Sequence, residues 1–221
     1  ALEKLQDEGV KVYPHPSAIR IIKNKIVQKE FYKANNIPSP EFEVMDGSSD
    51  EIKMPLPFVQ KMNTGGYDGK GVQVIRTAED MKNLWTQDSV IEKLVDIEKE
   101  LSVIVARNEN GETKTFPVTE MVADPKLNLL DFNICPVVLS EDIEEQINSI
   151  TEKFLNAINS PGLFAIELFL DKEGKVLWEK TIGGKYVDEL KSIVQTVDEG
   201  YVLGGYSNSP ISGDKSETNL G

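Results

Sequence analysis

The chain has 221 residues, 39% of them hydrophobic, which is enough for one globular core or two small lobes. Its 37 acidic against 24 basic side chains, a formal net charge of −13, exclude a broad nucleic-acid-binding face. No apolar run has the length to span a bilayer, the first residues do not read as a signal peptide, and the single Cys135 excludes an internal disulfide. The expectation is therefore a cytoplasmic protein with neither nucleic-acid nor membrane partners.

Residues 2–9 read as the last turns of a helix stopped by Gly9, and residues 10–13 as a short strand. This abrupt opening reads as the remnant of a preceding unit, with residues 1–38 as remnant and linker helix. Ser17 is the expected cap of one helix running to Asn35, with Ile19, Ile22, Ile26 and Val27 on one face. Pro38 and Pro40 end it, because proline cannot continue a helix. His15, between Pro14 and Pro16, reads as a surface loop residue, and one histidine makes no multi-histidine metal site.

Residues 41–45 alternate like a strand. A strand ending at Lys61, a loop with four glycines from Gly65 to Gly71, and a strand over 72–75 then form a hairpin-like flap. Lys61, Lys70 and Arg76 against Asp68 give the flap a local charge of plus two in an acidic chain. Glycine-rich turns let backbone amides converge on an anion, so the flap reads either as a phosphate cradle or as a mobile hairpin tip. It is not a Walker loop or a dinucleotide fingerprint, because a strand and not a helix follows the glycines.

Thr77, with Asp80 as its capping-box partner, opens a second expected helix with Met81, Leu84 and Trp85 on its apolar face. Residues 90–95 read as a strand flowing into a link. Residues 99–107 read as a strand with Leu101, Val103 and Val105 sharing a face, and 114–121 as its return. Cys135, flanked by Ile134 and Pro136, is expected as a small buried apolar residue. Ser140 caps a third helix lined by Ile143, Ile147, Ile150, Phe154 and Ile158. A hairpin of 162–170 with 175–178 follows. Glu167 interrupts its apolar run and Glu179 ends its second strand; two carboxylates across a hairpin could chelate Mg²⁺, or each could simply face solvent.

Lys61 with the loop Thr64-Gly65-Gly66-Tyr67-Asp68-Gly69-Lys70-Gly71, the link Glu92-Lys93-Leu94-Val95, Glu100-Leu101-Ser102 and Ile166-Glu167-Leu168-Phe169 occur in this order. In that order they resemble the ATP-grasp ligases, nearest to the N5-carboxyaminoimidazole ribonucleotide synthetases of purine biosynthesis. The run from Arg20 to Lys29 and the string Phe116-Pro117-Val118-Thr119-Glu120-Met121 resemble the same family, over about residues 12–179. The resemblance implies an α+β ATP-grasp fold of two lobes with mixed or antiparallel sheets and ATP between them. The small lobe would take residues 39–93 and the large lobe 94–180. It implies that Lys25 and Lys61 hold the ATP phosphates and that Gly66, Tyr67, Asp68, Gly69, Lys70, Gly71 and Val72 close over them. Glu92, Lys93, Leu94 and Val95 would be the adenine link, met largely through backbone groups, Glu100 would hold the ribose, and Glu167 and Glu179 would bind Mg²⁺. The implied reaction carboxylates 5-aminoimidazole ribonucleotide with bicarbonate through carboxyphosphate, and the implied assembly allows a homodimer. Another ATP-grasp carboxylate–amine ligase, or a non-catalytic nucleotide-binding or surface-repeat protein, are the competing readings.

Three departures from the family stand out. Only the last pieces of its N-terminal domain are expected here, Ala123 stands where many relatives carry a histidine, and its Asn-Glu-hydrophobic-Ala-Pro-Arg ending becomes Trp178-Glu179-Lys180-Thr181-Ile182-Gly183. From about Gly174 the sequence resembles a Trp/Gly-rich β-repeat of secreted bacterial proteins. This implies a junction of two unrelated pieces, with 181–221 as a foreign tail whose last dozen residues are expected to be disordered.

Overall fold

Two alternating apolar patterns, one in short strands and one in long strands, build two separate antiparallel sheets. The computed structural model describes residues 2–46, 52–65, 71–124, 129–182, 188–195 and 201–207. The first sheet has the order β1-β4-β2-β3, from β1 (Phe42–Met45), β2 (Phe58–Met62), β3 (Val72–Ile75) and β4 (Ser89–Lys93). The second has the order β10-β9-β5-β7-β8, from β5 (Ile97–Arg107), β7 (Thr119–Asp124), β8 (Leu129–Ile134), β9 (Gly162–Asp171) and β10 (Val176–Ile182). Strand β6 (Thr113–Thr115) also pairs with β5, and β11 (Asp188–Gln195) pairs with β12 (Tyr201–Ser207) as a hairpin of its own. Four helices accompany them among the described residues: α1 (Leu2–Asp7), α2 (Pro16–Lys23), α3 (Lys25–Ala34) and α4 (Glu141–Ile158). This is the expected α+β architecture. None of the described helices is long and apolar enough to cross a membrane.

Side-chain alternation gives each sheet one apolar core face. Phe58, Ile75, Ile91 and Met45 form the core of the first sheet with Met54, while Met81 and Leu84 pack against them. In the second, Leu101, Val103 and Val105 of β5 and Phe164, Ile166 and Leu168 of β9 meet Ile147, Ile150 and Phe154 of α4. Trp178 is fully buried at the centre of this core, its ring 4.6 Å from Phe154 and 5.3 Å from Tyr32. The strand from Val176 to Trp178 is therefore an integral part of the large core, although the sequence changes character just before it.

Several local expectations are corrected. The helix over 17–35 is two helices, because Asn24 takes an extended conformation and its side chain accepts from Val27 N at 2.8 Å, starting α3 anew. His15, not Ser17, precedes α2, with Pro16 in its first turn. Residues 10–13 join no sheet; Lys11 and Tyr13 instead contact Glu109. The helix after Thr77 is a single 3-10 turn at 80–83, because Asp80 Oδ2 accepts from the backbone N–H groups of Arg76 and Thr77 and closes a tight loop. Those backbone hydrogen bonds, Thr77 first and Arg76 next, hold the Asp80 carboxyl below its ordinary 3.8. The return strand splits into β6 and β7 around Phe116, Pro117 and Val118, since proline supplies no ladder donor. Cys135 is exposed just past the edge strand β8, not buried. Residues 210–221, expected to be disordered, lie outside the described residues.

Candidate nucleotide-binding site

The face of the first sheet opposite its core carries the charged residues. In register, Val59 pairs with Glu92 and Lys61 with Val90, so Lys61 and Glu92 are diagonal neighbours on one face of β2 and β4. Helix α3 covers this face. Its first turn is tied to the end of β2, because Lys25 N donates to Asn63 O at 3.0 Å and Ile26 N to Asn63 Oδ1 at 3.1 Å. That anchor sets Lys25 and Lys29, four residues apart, on one stripe of the helix. Lys29 Nζ then stands 3.2 Å from Glu92 Oε2, and Lys61 Nζ donates to the same oxygen at 3.1 Å. Glu92 is 2% exposed, and its other oxygen, Oε1, is buried without a hydrogen-bond donor among the described residues.

The second sheet meets this cluster through its uncovered face. Residues of β5 and β9 opposite in register share a face, so Glu100 lies beside Phe169 and Ser102 beside Glu167. Lys61 Nζ sits 5.9 Å from the centre of the Phe169 ring, a cation–π distance. Lys61 thereby touches both sheets at once, with Glu100 and Glu167 on the face that it overlooks.

Between them runs the link. Lys93 ends β4 exposed, Leu94 and Val95 are half-buried, and β5 begins at Ile97. Gly71 is buried at the base of the flap with φ +82°, a conformation that suits glycine, and its carbonyl accepts from Met62 N at 2.8 Å. Val72 follows it, exposed on the face that carries Lys61. Residues 66–70 of the flap, including Gly66, Tyr67, Asp68, Gly69 and Lys70, lie outside the described residues.

The pair expected to bind Mg²⁺ falls on adjacent strands. Lys180 is opposite Glu167, Trp178 is opposite Leu168, and Glu179 occupies the bulge between them. The backbone therefore puts Glu179 on the strand beside Glu167. Carboxylate oxygens are the donors that this hard ion takes, and two of them leave positions for phosphate oxygens and water, so the donor set fits. No cluster of three or more possible ligands occurs among the described residues.

The structure brings together Lys61, Glu92, Glu100 and Glu167 and sets Lys25 at the edge of the same face. It adds Lys29, which the sequence presented only inside a longer motif. It also makes the Glu92 carboxylate a buried hub, where the expectation was a link used through its backbone. A separate cavity of about 450 Å³, lined by Lys11, Tyr13, His15, Arg107 and Glu109 among others, holds none of these residues. Its polar groups serve the fold: Lys11 and Tyr13 bind Glu109, and Arg107 donates to Leu155 O at the end of α4.

A family model described as the ATP-grasp domain matches residues 30–180. The chain belongs to the ATP-grasp family. It is 31% identical over 217 residues to the N5-carboxyaminoimidazole ribonucleotide synthase of Aquifex aeolicus, a match covering 90% of this chain and 57% of that protein. Among solved structures, the N5-carboxyaminoimidazole ribonucleotide synthetase of Thermotoga maritima superimposes with TM-score 0.70 at 36% identity, covering 82% of this chain and 47% of the other. The carboxyaminoimidazole ribonucleotide synthase of Aspergillus clavatus, solved with ATP, gives TM-score 0.75 at 25% identity, covering 84% and 51%. The chain thus spans about half the length of these relatives. With 90% of the chain included, the Aquifex match extends past Lys180, across the junction that the sequence implied.

Proposed function

We propose that this chain binds ATP between its two sheets and forms the phosphoryl-donor part of a ligase that carboxylates 5-aminoimidazole ribonucleotide with bicarbonate. The observation that carries the reading is the position of Lys61, bonded to Glu92 of one sheet and seated over Phe169 of the other. A buried lysine at the root of a glycine flap, facing two strand carboxylates, is an arrangement suited to a triphosphate. In this reading Lys25 and Lys61 meet the phosphates, the 92–95 link takes the adenine, Glu100 takes the ribose and the 66–72 flap closes over them. Glu92 Oε1, a buried acceptor without a donor among the described residues, calls for an N–H group on the ligand, which an adenine amino group provides.

Chemically, a bicarbonate oxygen attacks the γ-phosphorus and ADP leaves. The substrate amine then attacks the carboxyl carbon of the carboxyphosphate, and phosphate departs. No protein nucleophile is needed; the chain's own residues position the phosphates, offset their charge and exclude water from the reactive intermediate. Mg²⁺, held by Glu167 and Glu179, would neutralise charge on the transferred phosphoryl group. The acceptor is supported by the names of the relatives reported above; a cytoplasmic location and a homodimer belong to the same reading.

Isothermal titration with MgATP tests the reading. The 221-residue chain should bind, and Lys61→Ala should lose at least tenfold in affinity, about 1.5–3 kcal/mol for one charge-assisted contact. A folded chain that ignores MgATP, or a Lys61→Ala variant with unchanged affinity, overturns it. For the acceptor, 5-aminoimidazole ribonucleotide and not a free amino acid should raise ADP formation from MgATP and bicarbonate.

A further inference from the structure

Two buried ammonium groups share one carboxylate oxygen. Lys61 Nζ and Lys29 Nζ lie 3.1 and 3.2 Å from Glu92 Oε2, and the three side chains are 8%, 3% and 2% exposed respectively. One lysine would be enough to pair Glu92, and burial penalises each cation added to such a site. The two lysines differ in what else they face. Lys61 also overlooks the second sheet and Phe169, whereas Lys29 reaches Glu92 from the helix side, one turn after Lys25.

We propose that Lys29 is a positioning residue that keeps Glu92 paired and fixed when Lys61 turns from it to a nucleotide phosphate. The inference rests on the ATP reading above and gives a role to a residue that this reading leaves without one. A triphosphate carries several negative charges, so Lys61 is drawn towards it and away from Glu92. Were Lys29 absent, that movement would leave a buried carboxylate without a counter-ion, and either the nucleotide would bind weakly or Lys61 would stay behind. With Lys29 in place, the carboxylate at the head of the adenine link keeps a partner in both states. In the unliganded protein Lys29 is then largely redundant, because Lys61 supplies the same contact.

That redundancy makes the role testable with Lys29→Met, which removes the charge but keeps the length, and Lys29→Arg, which keeps the charge. Unliganded Lys29→Met should melt within about 2 °C of the parent protein, since Glu92 keeps one partner. Its dissociation constant for MgATP should rise roughly tenfold or more, with Lys29→Arg recovering most of the loss. In a Glu92→Gln background, Lys29→Met should have no further effect on MgATP affinity, because no carboxylate is left to hold. The proposal is overturned if Lys29→Met binds MgATP like the parent or if the loss persists undiminished in the Glu92→Gln background. It is equally overturned if Lys29→Arg binds no better than Lys29→Met, or if Lys29→Met fails to fold, which would make Lys29 a stability residue. A parent chain that does not bind MgATP removes the nucleotide reading itself, whereas parent binding with any of these contrary results removes only the role of Lys29.

Discussion

Replacing Glu92 with leucine isolates the electrostatic centre of the molecule. The carboxylate is 2% exposed and stands within 3.2 Å of two buried lysines, so its loss takes from two ammonium groups the anion that they share. Breaking a buried pair by removing one partner costs about 3–5 kcal/mol, whereas removing charges together with their counter-charge is often neutral. For a chain of this size each kcal/mol lowers the melting temperature by about 2–4 °C, so Glu92→Leu should melt roughly 6–20 °C below the parent. Adding Lys29→Met to Glu92→Leu removes one of the two buried cations that Glu92 had balanced and should recover a substantial part of that loss. Calorimetry or urea denaturation at neutral pH reads both effects. A Glu92→Leu protein within about 1 kcal/mol of the parent would refute the reasoning, since it would mean that the three groups are not coupled in a low-dielectric site.

Three further outcomes follow from particular contacts. Asp80 is held below its ordinary pKa by accepting from Thr77 and Arg76, so it contributes stability above its unfolded value that is lost as pH falls through the folded one. Asp80→Asn should therefore be less stable than the parent at neutral pH and converge with it in strong acid, as acid-denaturation curves would reveal. Gly162→Ala should destabilise the protein by about 1–3 kcal/mol in chemical denaturation, because at φ +150° its added Cβ would lie 3.0 Å from Pro14 Cγ and 3.2 Å from Pro14 Cα. Phe154→Ala, which opens the aromatic cluster with Trp178, Phe164 and Phe31, should cost about 3–5 kcal/mol by the same measurement.

What could be read from the sequence depended on how local the determining physics is. The alternation in Leu101, Val103 and Val105, the 3.6-residue spacing from Ile143 to Ile158 and the paired strands around Asp171 all came through, because periodicity itself buries those faces. The break at Asn24 did not, because a side chain that can cap a helix is also tolerated within one. The turn at Asp80 was misread for a related reason: the same Thr77 and Asp80 that open a helix can close a loop upon themselves. Strand β8 was missed, since nothing in its own residues announces a partner that only the sheet provides.

The site was legible in its types and incomplete in its geometry. Lys61 is bonded to Glu92, and Glu100 and Glu167 lie on the face that Lys61 overlooks. Lys29 stayed hidden because a buried lysine in an amphipathic helix looks like a solvated one until its carboxylate is located in space. The signal was the pair Lys25 and Lys29 at a spacing of four, which places both on one stripe of the helix, the stripe from which Lys29 reaches Glu92. Trp178 shows the converse case: it lies in the stretch after Gly174 that resembles a surface repeat, yet packing between Tyr32 and Phe154 binds it to the large core.

A crystal structure of the chain with MgATP, or with a non-hydrolysable analogue, tests the account most directly. It should contain the nucleotide between the sheets, with Lys61 Nζ moved from Glu92 to a phosphate oxygen, Lys29 still on Glu92 and the base against the 92–95 link. A nucleotide bound elsewhere, or phosphates remote from both Lys25 and Lys61, would contradict it.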